Sequence, residues 1–153
     1  KMLANEIDDF GVYLTIEKYL DIEKFMRSEK ASLTIDKAKE LLEYCSSLGL
    51  TTTFLYILGL EDSETIEHYF NYLKGSINKF PIIQVFQNYT PYQEMYRCEE
   101  AKDVEFYIKA RMIIDDIFKN KEEMKPKTWE CFRSLYFDDK EKSGGKVRCK
   151  KMY

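Results

Sequence analysis

Few residues in this 153-residue chain are of types that do chemistry unaided, and those are scattered. His68 is the only histidine, which excludes a two-histidine metal site within the chain. Glu64 and Glu67 flank it on an amphipathic segment, so His68 reads as a solvated helix residue. The four cysteines, Cys45, Cys98, Cys131 and Cys149, are too far apart for a zinc knuckle, a redox CxxC or a compact cluster motif. With no secretory signal in view, they read as free thiols of a reducing cytoplasm. The remaining candidates are carboxylates, amides and one guanidinium: Thr15 and Glu17, Arg27, then Gly59, Glu61 and Asp62, then Gln84, Gln87 and Asn88. Glutamate can accept hydrogen bonds from a ribose or an amine, and amide side chains can read a base edge. Arg27 can clamp a carboxylate with two parallel hydrogen bonds. Glycine lets a ligand approach the backbone, because it has no Cβ.

These residues matter because of the elements that carry them. Gly11–Glu17 is short and rich in β-branched and aromatic residues, a strand pattern. Ile35, Ala38, Leu41, Leu42, Cys45 and Leu48 recur at helical spacing, with Thr34 placed as N-cap and Gly49 as the left-handed C-terminal residue. Thr51–Leu58 is nearly continuous in β-formers, which predicts a strand buried on both faces. Asp62 or Ser63 caps a second helix carrying Ile66, Tyr69, Phe70 and Leu73. Ile82–Asn88 reads as a third strand, and Val104 to Phe118 as a third helix. Thr128–Phe137 fits helix or strand, and Ser143-Gly-Gly145 marks a turn.

The alternation predicts βαβ units on a parallel sheet, whose ligands bind beyond the carboxyl ends of the strands. Three strands do not close a barrel, so the units read as part of something larger. The fold class expected from the alternation is therefore α/β, parallel strands alternating with helices over residues 1–125, with a C-terminal extension over 126–153. The chain begins at Lys1, which fits either a truncated chain or a native start at Met2.

Composition narrows the partners. Hydrophobic residues make up 44%, aromatics 15% and charged residues 33%, a globular mixture. A net charge of −3 gives no footprint for nucleic acid, and the basic residues near the C-terminus, such as Lys146 and Arg148, read as a solvated tail. No apolar run approaches the roughly 18–20 residues of a membrane span. The twelve tyrosines suit packing positions and do not compose a radical relay.

Leu14-Thr-Ile-Glu17, Phe25-Met-Arg-Ser-Glu-Lys30, the helix ending at Leu48-Gly49, and Thr52-Thr-Phe-Leu-Tyr-Ile-Leu-Gly-Leu-Glu-Asp62 occur in an order that resembles the middle strands of radical S-adenosylmethionine (SAM) enzymes, in particular the biotin-synthase-like branch. Ile83–Pro91 resembles the sixth strand and its loop, and Trp129–Leu135 is similar to a late segment of some relatives. The likeness spans roughly residues 10–92. It implies that Glu17, with Thr15 beside it, contacts the ribose or amino-acid part of SAM. By the same likeness, residues around Gly59 line the adenine, and the backbone near Gln87 and Asn88 holds base or substrate. The arginine that some relatives use for the SAM carboxylate falls by register on Leu33, which passes that role to Arg27 or Lys30. The family's CxxxCxxC loop, which holds a [4Fe–4S] cluster, has no counterpart here. The resemblance therefore makes residues 1–125 the C-terminal half of a partial TIM-type (β/α) barrel and places the cluster loop in a missing N-terminal half, on the same or a separate chain. The expected reaction is reductive cleavage of SAM and hydrogen abstraction from a small-molecule or peptide substrate. Two other readings stand beside it: a different α/β barrel using Glu17 or Glu61 as general base, and a non-catalytic half-barrel or accessory subunit packed on a partner.

Overall fold

The computed structural model describes residues 10–122, so the predicted C-terminal extension lies outside them, with Cys131, Cys149 and the Trp129 segment. Three strands, β1 (Gly11–Glu17), β2 (Thr51–Leu58) and β3 (Ile82–Val85), form a parallel sheet in the order β1-β2-β3. Between and after them run α1 (Ser28–Ala31), α2 (Ile35–Ser47), α3 (Ser63–Leu73) and α4 (Val104–Ile117). Short 3₁₀ turns occupy Ile22–Lys24, Pro91–Tyr96 and Glu100–Lys102. The fold is thus a mixed α/β unit with a parallel sheet.

The helix limits follow from their capping chemistry. The Thr34 hydroxyl accepts from the Lys37 amide at 3.4 Å at the start of α2. At its other end Gly49 adopts φ 81°, and the Gly49 and Leu50 amides bond back to the Ser46 and Cys45 carbonyls. Asp62 caps α3, its carboxylate accepting from the Thr65 amide at 2.8 Å. That hydrogen bond holds the Asp62 carboxyl below the usual carboxylate range. A depressed native pKa gives a stabilisation that is present above the unfolded carboxyl pKa and lost as pH falls through the lowered value. Asp62→Ala should cost about 1 kcal/mol, or about 2–4 °C in Tm at neutral pH. Melting curves should show that difference shrinking in acid.

The three long helices share one face of the sheet. Ala38 and Leu42 of α2, Ile66, Phe70 and Leu73 of α3, and Phe106, Ala110 and Ile114 of α4 all join one cluster with Phe54, Tyr56 and Leu58 of β2 and Ile83 of β3. Phe70, fully buried, meets Phe54, Tyr56 and Phe118 edge to face at centroid separations of 5.4, 5.1 and 5.7 Å. The opposite face carries Tyr13 and Thr15 of β1, Leu55 and Ile57 of β2, and Ile82 and Gln84 of β3, all half-buried or exposed. Here the structure meets the expectation that β2 is buried on both faces only in part. On this face Thr53 is fully buried and donates to the Phe80 carbonyl at 3.0 Å, while Leu55 and Ile57 are half-buried, because the long helices pack their apolar stripes on the other side.

Strand β3 is also shorter than the predicted Ile82–Asn88. Phe86 still donates to the Leu58 carbonyl at 2.8 Å, but beyond it the chain turns. The Gln93 side-chain oxygen accepts from the amides of Tyr89 and Thr90, and Pro91 begins a 3₁₀ turn. The local amide-to-backbone closure outcompetes continued pairing.

Candidate functional site at the strand ends

The carboxyl end of β1 is bent. The pairing register with β2 shifts between Thr15 and Glu17. Glu17 has φ 63°, and the Lys18 amide folds back onto the Ile16 carbonyl at 2.7 Å. A non-glycine residue there is strained, because its Cβ crowds the backbone. The Glu17 carboxylate is paired with the Lys30 ammonium. Together with Phe25, Met26, Arg27 and Glu29 these two residues line an open groove of about 520 Å³. Arg27 precedes α1 and is exposed. The groove thus presents two cations and two carboxylates on an apolar floor, a donor set suited to a ligand with both an ammonium and a carboxylate.

Behind the groove lies a second arrangement, buried. Glu61, only 4% exposed, accepts from the Tyr19 amide at 3.0 and 3.1 Å and from the Leu20 amide at 2.7 Å. It also accepts from the Tyr56 hydroxyl at 2.8 Å. The Lys18 ammonium stands 3.5 Å from the same carboxylate and donates to the Leu60 carbonyl at 3.1 Å. Tyr19 stacks on Tyr56 and Tyr69 at 5.0 and 4.6 Å. Burial, and then the Glu61 charge, push both the Tyr19 and Tyr56 phenols up. With both oxygens of Glu61 occupied by structural donors, the general-base reading of that residue is corrected: it is an anchor with no free lone pair facing solvent.

Above β3 the second rim forms. Asn88, Tyr89, Thr90, Pro91 and Glu94 line a groove of about 430 Å³. Arg97 grips Glu94 through two guanidinium nitrogens and reaches the Tyr107 hydroxyl at 2.7 Å. That contact holds the Glu94 carboxyl below the usual range. Phe25, from the β1 loop, meets Tyr96, from the β3 loop, edge to face at 4.9 Å. The two loops therefore touch.

The predicted site residues divide accordingly. Glu17, Arg27 and Lys30 come together in one groove, and Asn88 lines the other. Thr15 lies on the open face of the sheet, and Gln87 is exposed beyond β3. Gly59 is buried with φ 113°, and a Cβ there would meet the Tyr107 hydroxyl at 3.1 Å and Phe86 at 3.4 Å. Its lack of a side chain is thus used by the chain's own packing. His68 is exposed on α3. Cys45 and Cys98 are free thiols, and burial pushes Cys98 up. Among the described residues no group of three or more His, Cys, Asp or Glu side chains is arranged to hold a metal ion, so they offer no ligand set for an iron–sulfur cluster.

Comparison with known proteins adds no relative: no protein-family model, no curated protein and no solved structure matches the chain. Sequence reasoning found Glu17 through its place at a strand end, and noted Glu61 without its role. It missed Lys18, Tyr19 and the Glu94–Arg97 clamp. Only Lys18 left a trace, as a charge directly following an apolar strand.

Proposed function

We propose that this chain is the second half of a radical SAM-type (β/α) barrel, supplying strand-end residues that bind SAM and substrate. The observation that carries the reading is the groove at the carboxyl end of β1, where Glu17, Arg27 and Lys30 stand together. The sheet supports it. Strand order follows chain order, the long helices lie on one face, and the other face is open, as in a segment of a barrel wall. After α4 the chain returns parallel to the region before β3. Lys79 bonds to the Thr52 carbonyl while Phe80 bonds to the Glu122 carbonyl at 2.9 Å. Successive strand amides point to opposite sides, so Glu122 lies on the edge away from β2, where the next barrel strand would be added.

In this reading Arg27 and Lys30 take the SAM carboxylate, Glu17 takes its ammonium or ribose hydroxyls, and Phe25 and Met26 supply the apolar floor. Thr15 stands on the inner barrel face. Gly59 and the Gln87–Asn88 loop border the base and a small-molecule or peptide substrate. When bound to a [4Fe–4S] cluster, SAM supplies reductive radical chemistry, and the ligands of that cluster lie on the N-terminal half outside this chain. The setting is the cytoplasm, with no part for nucleic acid or membrane.

A second reading is favoured by the open sheet face. Tyr13, Leu55 and Ile57 would also suit a non-catalytic half-barrel or accessory subunit packed on a partner. Calorimetric titration of SAM into the full natural gene product separates the two. Glu17→Ala should weaken binding about tenfold, the loss of one charge-assisted contact. Unchanged affinity removes Glu17 from the site and favours the accessory reading.

A further inference from the structure

We infer that Glu61 is a positioning residue that holds Glu17 in the groove, an inference that rests on the proposed binding role of Glu17. Each of the three residues following Glu17 is tied to Glu61 or its neighbour. Lys18 reaches the Leu60 carbonyl and stands beside the Glu61 carboxylate, while Tyr19 and Leu20 donate their amides to it. The carboxylate is itself steadied from β2 by the Tyr56 hydroxyl. Glu17 sits at positive φ just where the register slips. A glutamate keeps such a conformation only where its surroundings over-determine it. Glu61 supplies that constraint from inside the protein, where it lines neither groove. Released from it, the turn relaxes toward an extended backbone, and the Glu17 side chain leaves its place opposite Arg27 and Lys30.

The carboxylate is specifically required. Two backbone amides, a phenol and an ammonium converge on it, and all are donors. Glutamine keeps the shape but offers one acceptor oxygen and turns its own NH₂ toward donors.

The test is a double-mutant cycle read by SAM calorimetry on the full natural gene product, using wild type, Glu61→Gln, Glu17→Ala and the double variant. Glu61→Gln should weaken SAM about tenfold, the usual scale for losing a supporting contact behind a ligand-binding group. The double variant should bind no more weakly than Glu17→Ala alone, because the two act through one contact. Additive losses would overturn the inference, as would unchanged affinity in Glu61→Gln. If Glu61→Gln does not fold, Tyr56→Phe removes one donor to the carboxylate and enters the same cycle, with the same pattern at smaller amplitude.

Should Glu17→Ala leave SAM affinity unchanged, the SAM reading fails, and the positioning claim is decided without ligand. Backbone amide resonances of Glu17 and Lys18 should then move in Glu61→Gln, with faster hydrogen exchange at Tyr19 and Leu20. Unmoved resonances at Glu17 would overturn it.

Discussion

Glu61→Ala should destabilise the chain by about 3–5 kcal/mol, the cost of stranding one partner of a buried ion pair. The alanine methyl leaves the Tyr19 and Leu20 amides and the Tyr56 hydroxyl without their acceptor. It also leaves the Lys18 ammonium, whose side chain is 9% exposed, without its counter-charge. Each unsatisfied buried donor costs on the order of 1–3 kcal/mol, although relaxation and water entry recover part of the sum. The stranded charge can be tested separately. Lys18→Met in the Glu61→Ala background should restore part of the loss, because an apolar side chain tolerates the site that an unpaired ammonium does not. Urea unfolding of the two variants measures this. A double variant less stable than Glu61→Ala alone would mean that Lys18 does not depend on Glu61.

Phe70→Ala should cost a similar amount, about 3–5 kcal/mol, for a different reason. The ring is fully buried and touches aromatic side chains from β2 and from the end of α4 at once. Its removal opens a cavity beneath Tyr56, Phe54 and Phe118, whose edge-to-face contacts with it cannot all be remade by one shift. Phe70→Leu should lose clearly less, since it keeps most of the buried volume. Urea midpoints with unchanged slopes would show that the native state alone is affected. Equal losses in Phe70→Ala and Phe70→Leu would argue against a packing origin.

The two losses differ in how well they could be foreseen. Phe70 was legible: helical spacing puts it with Ile66 and Leu73, and the capping residues Asp62, Thr34 and Gly49 mark the helix limits by local chemistry alone. The strand-ends rule likewise singled out Glu17, and the charged stretch after that strand offered Arg27; the fold brings the two into one groove. Glu61 was legible as a polar residue after a strand and as a candidate general base, but not as an anchor, because its partners Tyr19 and Leu20 lie 42 and 41 residues away. Long-range pairing of this kind leaves no periodicity. Gly59 was misleading for a related reason. Glycine signals close approach but does not say by what, and here Tyr107 and Phe86 come from far along the chain. The end of β3 depended on Gln93, whose side chain competes with the strand from eight residues beyond Val85.

The proposal that this chain forms half of the barrel of a SAM-dependent radical enzyme has one decisive experiment. It is anaerobic reconstitution of the full natural gene product with iron and sulfide, followed by addition of SAM and a low-potential reductant. A [4Fe–4S] signal and formation of 5′-deoxyadenosine are expected, with less 5′-deoxyadenosine from the Glu17→Ala variant. A full gene product that takes up no cluster and forms no 5′-deoxyadenosine would contradict it.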